Sequence, residues 1–265
     1  MGTLYSSLFP WGGSIIFKIS LLIIEPFNIV WWSVQLFALI AAFFIYHIRK
    51  NKDNKKFLKI FAVFAAVFLI VYKILYGMNL SRGVTLGDVL PLHLCNIVTF
   101  AAIPAAFVKS EKMAKLLKGF CFYFGVIFAY VAMVIPEPGF AGMSIFSGTM
   151  LGFYGYHIML VILSICFVSL GEYNPRFKDI PKELFTLTCV SAVMHLINLI
   201  LRATIYPDAN FFYTFGFEGY TLAEFLQELI PFQFIWMIPL LLLVGVFCML
   251  LALVAKLFSK LNSES

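Results

Sequence analysis

IVWWSVQLFALIAAFFIYHI, residues 29–48, runs into the basic cluster RKNKDNKKFLK at 49–59, whose end opens a second apolar run, FLKIFAVFAAVFLIVYKILYG at 57–77. Each apolar run is about 20 residues long, the length of helix that crosses the hydrocarbon of a bilayer. Arg49, Lys50, Lys52, Lys55, Lys56 and Lys59 crowd the connection. Such a cluster stays on the cytoplasmic side, so the stretch reads as two antiparallel transmembrane helices joined by a basic turn.

The pattern continues to the end of the chain. Of 265 residues, 62% are hydrophobic and 12% charged, with a mean hydropathy of +0.97. A water-soluble globule of this length cannot bury that much apolar surface in one core. Apolar runs at 29–48, 57–77, 89–108, 117–135, 146–170, 184–202 and 231–255 predict an all-α, polytopic seven-transmembrane-helix bundle. Residues 1–28, broken by SSLFPWGG and Pro26, read as an interfacial segment; a cleavable signal needs a basic start and a small-residue cleavage site. With no repeat and no soluble block, residues 1–265 form a single integral membrane domain, placed in the cell membrane.

The cations set the expected orientation. Besides the 49–59 cluster, Lys109, Lys112, Lys115 and Lys118, then Arg176, Lys178 and Lys182, then Lys256 and Lys260 fall on alternate connections, fifteen of nineteen in all. The other connections collect Asp88, Glu137, Asp208, Glu218, Glu224 and Glu228. The N-terminus is therefore expected outside and the C-terminus in the cytoplasm. The net charge of +6 reflects this topology and attraction to anionic lipid heads. Nothing in it resembles a nucleic-acid surface.

Polar groups at membrane depth are costly and usually face the bundle interior or a wet cavity. In LPLHLCNI at 90–97, Cys95 shares a helical face with Asp88 and Thr99, flanked by His93 and Asn96. Thr188, Ser191, His195, Asn198 and Arg202 form one stripe on the sixth run and face a common partner. His157 lies on the fifth with Tyr154 and Ser164. At about 1.5 Å per residue, Cys95 and His195 sit roughly 10 Å below the outer boundary and His157 roughly 15 Å below it. The inner halves are almost wholly aliphatic and aromatic, so a polar cavity is expected in the outer half.

Two chemistries suit these residues. A free cysteine in a membrane helix is ordinarily packing, the reading given to Cys121, Cys166, Cys189 and Cys248. Cys95 stands apart because a neighbouring base or cation turns a thiol into a nucleophile. His93, His157 and His195, with Asp88 or Asp208, can orient a general base; alternatively each histidine only bridges helices. Arg202, with Asn198, is the choice for an anionic head group, against snorkelling to the interface. No cysteine or histidine spacing is a metal motif, and no metal or other cofactor is expected. A transporter or lipid-binding protein without covalent chemistry is the competing class, opposed by the lack of internal duplication and of polar groups in the inner half.

LPLHLCNI, FYFGVIFAYVAMVIPEPGF…SGTMLGFYGYH at 122–157 and NLILRATIYPDANFFYT at 198–214 together resemble the YwaF / transmembrane protein 164 family, over residues of about 57 to 245. The resemblance implies a fold similar to the androgen-induced gene family of membrane lipid hydrolases, and a phospholipid or other acyl lipid as substrate. It also implies an acyltransferase activity passing the acyl chain through Cys95, inside PLHLC, with His157 as helper. His195, Asn198 and Asn210 match motif positions without an assigned role. The expectation is a lipid acyltransferase or hydrolase with Cys95 as nucleophile and His157 as base. His93 or His195 assists, and Asn96, Thr99, Tyr154, Asn198, Arg202, Asp208 and Asn210 line the substrate site. The oligomeric state stays open.

Overall fold

The structure is a computed structural model, and it describes residues 23–77, 85–135, 140, 142–216 and 221–264. The interfacial segment expected before residue 23, Glu137 in the PEPG turn and Glu218 lie outside the described residues, as does the side chain of Asp88.

Among the described residues the chain is helical, with one isolated bridge between Ile23 and Ser144. The helices are α1 Ile29–Arg49, α2 Lys55–Gly77, α3 Leu86–Val89, α4 Leu94–Phe107, α5 Glu111–Val134, α6 Gly148–Ser169, α7 Ile180–Thr204, α8 Thr221–Leu229 and α9 Ile238–Glu264. Six of them are long and apolar enough to cross a membrane, so the chain is a multi-pass integral membrane protein. α4 has 14 residues, about 21 Å of helix, less than the thickness of the hydrocarbon.

Local chemistry explains where these helices begin. Asn28, Ser110 and Ser147 accept hydrogen bonds from backbone N–H groups in the first turns of α1, α5 and α6. At the far end of α5, Trp31 Nε1 and Gln35 Nε2 donate to the carbonyls of Val134 and Met133, at 3.0 and 2.9 Å. Helix-terminal carbonyls left without such donors are expensive in hydrocarbon.

α4, α5 and α6 form the centre, with α1 and α2 closing against α6, while α7 and α9 lean on each other and on α5. α1, α2, α7 and α9 keep Phe37, Phe44, Phe64, Leu196 and Leu242 on the outside, where lipid rather than water satisfies them. The buried faces carry small residues, Ala38 and Ala42, Ala62 and Ala65, Ala102 and Ala105. Lipid is as apolar as leucine, so close backbone approach holds such helices together.

The basic connections gather at one end. Lys115 pairs with Asp179 at 2.8 Å and Lys118 with Glu172 at 2.7 Å, joining the start of α5 to the loop before α7. Lys59 lies over the Phe107 ring at 5.1 Å, and Tyr46 meets Phe258 at 5.1 Å. The opposite end holds the break between α3 and α4 and the loop at 205–216.

Candidate functional site

The site begins where a helix fails. Pro91 carries no N–H and pushes Leu90 away from helical geometry, so the segment that starts in α3 stops and restarts at Leu94. His93 is the N-cap of the new helix, in extended conformation and without a side-chain capping bond. Non-helical backbone at membrane depth persists where protein buries it or a cavity borders it.

Cys95 follows in the first turn of α4. The residue as a whole is half-buried, and its thiol, free of any disulfide, faces its own backbone N–H at the positive end of the helix. Asn96 is 3% exposed and its Nδ2 has no protein partner, a donor still to be spent. Thr99 is fully buried one turn on; its hydroxyl bonds the Cys95 carbonyl at 3.0 Å and the Tyr156 hydroxyl at 3.1 Å. The carbonyl only accepts, so the single Thr99 proton goes to it and Tyr156 donates to Thr99.

α6 brings His157. Its Nδ1 lies 2.8 Å from the Phe153 carbonyl, which only accepts, so Nδ1 carries the proton and Nε2 is the free acceptor. The ring is clamped between Phe153 and Tyr156, with centroids at 4.4 and 4.6 Å. His93 is in electrostatic range of His157, and Tyr156 of Cys95. Tyr154, one turn before His157 on α6, is 2% exposed with its hydroxyl unpartnered.

Of the α7 stripe, His195, Asn198 and Arg202 meet the loop at 209–216, whereas Thr188 bonds the Leu184 carbonyl of its own helix. His195 Nδ1 bonds Thr214 Oγ1 at 3.0 Å, and Asn198 Nδ2 reaches the Phe211 carbonyl at 2.7 Å and Thr214 Oγ1 at 2.9 Å. Asn198 Oδ1 accepts from the Phe211 N–H at 3.0 Å. Arg202 donates to the Ala209 carbonyl at 3.1 Å and lies over the Phe215 ring at 4.5 Å. Asn210 ties the Phe215 N–H to the Gly216 carbonyl. These bonds hold Phe212 and Tyr213 at φ of 61° and 54°, left-handed conformations that cost bulky residues about 1–3 kcal/mol each. Asn198 thus spends its amide on the loop, Arg202 gives one guanidinium nitrogen to the loop backbone while staying exposed, and His195 belongs to this loop.

His93 joins the two groups. Its ring meets Phe211 at 5.3 Å and Tyr213 at 6.4 Å, and it borders a cavity of about 160 Å³ with Thr85, Tyr206, Asp208 and Asn210. That volume admits a small polar group. The described His, Cys, Asp and Glu residues form no group of three that suits a metal ion.

Two features escape the sequence reading. Lys73, near the end of α2, is in electrostatic range of both Cys95 and His157. A lone cation inside an apolar run was its signal. At the basic end, where purely apolar packing is expected, Glu183 is 2% exposed with Oε2 unpartnered, and the hydroxyls of Tyr123 and Tyr173 are buried nearby, facing each other. Glu183 and Tyr173 both pack over Gly119 of α5. Burial, with Tyr123 adding to it, pushes the Tyr173 phenol above its ordinary range. The glutamate stands just before the sixth run, where a pattern of apolar residues does not reveal it.

A model of the TMEM164 family matches residues 23–255. No curated protein and no solved structure matches the chain.

Proposed function

The chain belongs to the TMEM164 family, and we propose that it is a membrane-embedded lipid acyltransferase or hydrolase acting through an acyl-enzyme on Cys95. The observation that carries this reading is a thiol at the start of a broken helix, tied through Thr99 and Tyr156 to the helix bearing a histidine of fixed tautomer. In the proposed cycle the Cys95 proton passes to His157 Nε2 and sulfur attacks the ester carbonyl of a phospholipid or other acyl lipid. The unspent Nδ2 of Asn96 donates to the tetrahedral oxyanion. When the carbon–oxygen bond breaks, His157 returns its proton to the departing alcohol of the lyso-lipid. Water or a second lyso-lipid hydroxyl then takes the acyl group from the thioester, restoring the thiol.

The cavity of about 160 Å³ bounded by His93, Asp208 and Asn210 fits the head group, leaving the acyl chain on the lipid side. His195, Asn198 and Arg202 act as positioning residues through the 209–216 loop. The segment α3–α4 serves as a seventh crossing in one integral domain. The basic end faces the cytoplasm and the C-terminus lies there, so the reaction occurs in the outer half of the cell membrane.

The test is intact-mass analysis of the protein purified from lipid-rich membranes, with and without hydroxylamine. The expected result is a hydroxylamine-labile acyl adduct on the Cys95 peptide, absent in Cys95→Ser. Lipid turnover retained by Cys95→Ala defeats the covalent role. The competing class, a transporter, draws support from Glu183, Tyr123 and Tyr173, which put polar groups at the inner end. Solute or proton uptake with no adduct selects it.

A further inference from the structure

Lys73 is half-buried near the end of α2. One turn later on the same helical face stands Gly77, where a Cβ would lie 2.9 Å from Val89 Cγ2. That face is turned toward the broken segment. The adjacent residue, Tyr72, lies against Gly152 of α6, and Phe68 against Gly155. Lys73 therefore occupies the seam between the α3–α4 break and α6, the two elements that carry Cys95 and His157. Both residues lie within electrostatic range of it.

We propose that Lys73 is the resident positive charge of the site and stabilises the negative charge that develops on the Cys95 sulfur. A lysine this close to a helix end commonly snorkels to the interface and acts on nothing. Here Lys73 is half-buried and shares its helical face with Gly77, which packs on the broken segment whose next helix opens with the thiol. A nearby cation and a helix N-terminus both favour a thiolate. Among the described side chains, Tyr156 brings a hydroxyl and no charge to the neighbourhood of that sulfur. His157 moves the proton, and Lys73 supplies the field.

The inference rests on Cys95 being the nucleophile, but its test needs no lipid. The purified full chain is alkylated at one pH with iodoacetamide or iodoacetate, and the two rates are read on the Cys95 peptide by mass spectrometry. Both reagents consume the same thiolate, so their ratio cancels its abundance and reports the potential at the sulfur. Lys73→Met is expected to lower the iodoacetate-to-iodoacetamide ratio on the order of tenfold, while Lys73→Arg keeps it near the native value. An unchanged ratio in Lys73→Met overturns the proposal. Where that variant does not fold, Lys73→Gln is read in its place, and an unchanged ratio there overturns the proposal equally. A normal acyl adduct with an unchanged ratio removes Lys73 alone; a shifted ratio without any adduct removes the acyl-enzyme and leaves the charge.

Discussion

Thr99 and Tyr156 meet hydroxyl to hydroxyl at 3.1 Å, and this bond joins the helix of the thiol to the helix of the imidazole. Because Thr99 gives its proton to the Cys95 carbonyl, Tyr156→Phe removes one bond and Thr99→Val removes two. Interhelical bonds of this kind contribute about 1 kcal/mol in membranes. Tyr156→Phe is expected to cost about that much in thermal stability and to slow acylation of Cys95. Thr99→Ser restores both. A Tyr156→Phe protein with native acylation rate argues that the tie is not used.

The apolar runs located the helices because lipid is the solvent and length is the criterion. The third run is the instructive exception. Its hydropathy is continuous across 89–108, yet Pro91 breaks it, and the residues before the break fold as a four-residue helix. Hydropathy counts apolar side chains and is blind to a missing N–H. The stripe of His195, Asn198 and Arg202 was legible as a shared face, but a face does not say what it meets. Here it meets loop backbone at 209–216, and nothing in a helical period announces that loop's left-handed Phe212 and Tyr213.

Asn198 is expected to be the loop's main support. Asn198→Ala strips donors and an acceptor from Phe211 and Thr214 at a fully buried position, each loss costing about 1–3 kcal/mol. With that support gone, the strained conformations at Phe212 and Tyr213 relax. Hydrogen exchange should then rise across 209–216 while α5 and α6 stay protected. Exchange that rises throughout the bundle instead would mean the residue supports the whole fold.

Gly152 accepts the Tyr72 ring where a Cβ has no room. Gly152→Ala is expected to destabilise the protein by about 1–3 kcal/mol through overpacking of α2 on α6. Adding Tyr72→Leu should return part of that loss, a coupling that a double-mutant cycle measures. Independent, additive effects would contradict the contact.

Glu183 carries a buried oxygen with no partner, and a buried carboxylate is costly when unpaired. Glu183→Gln keeps the shape and removes the ionisable carboxyl. If the residue only fills space over Gly119, its melting temperature should be equal to or above native, with acylation of Cys95 untouched. A loss of ion or proton flux in that variant favours the transport reading.

His157 permits the sharpest separation of structure from chemistry. Its Nδ1–H donates to the Phe153 carbonyl, a bond an asparagine amide at the same position reproduces, whereas Nε2 has no counterpart in asparagine. Glutamine does the reverse, reaching toward the Nε2 position and giving up the Phe153 bond. A general base contributes about 10²- to 10⁴-fold to rate. His157→Asn is therefore expected to keep its melting temperature within a few degrees of native and to lose acyl-adduct formation by about 10²-fold or more. The measurements are a thermal melt and the time course of adduct formation on the same preparation. Were His157→Asn to acylate Cys95 at the native rate, the imidazole would be a packing element of α6, and proton transfer would have to be sought among the other groups near the break, His93 first.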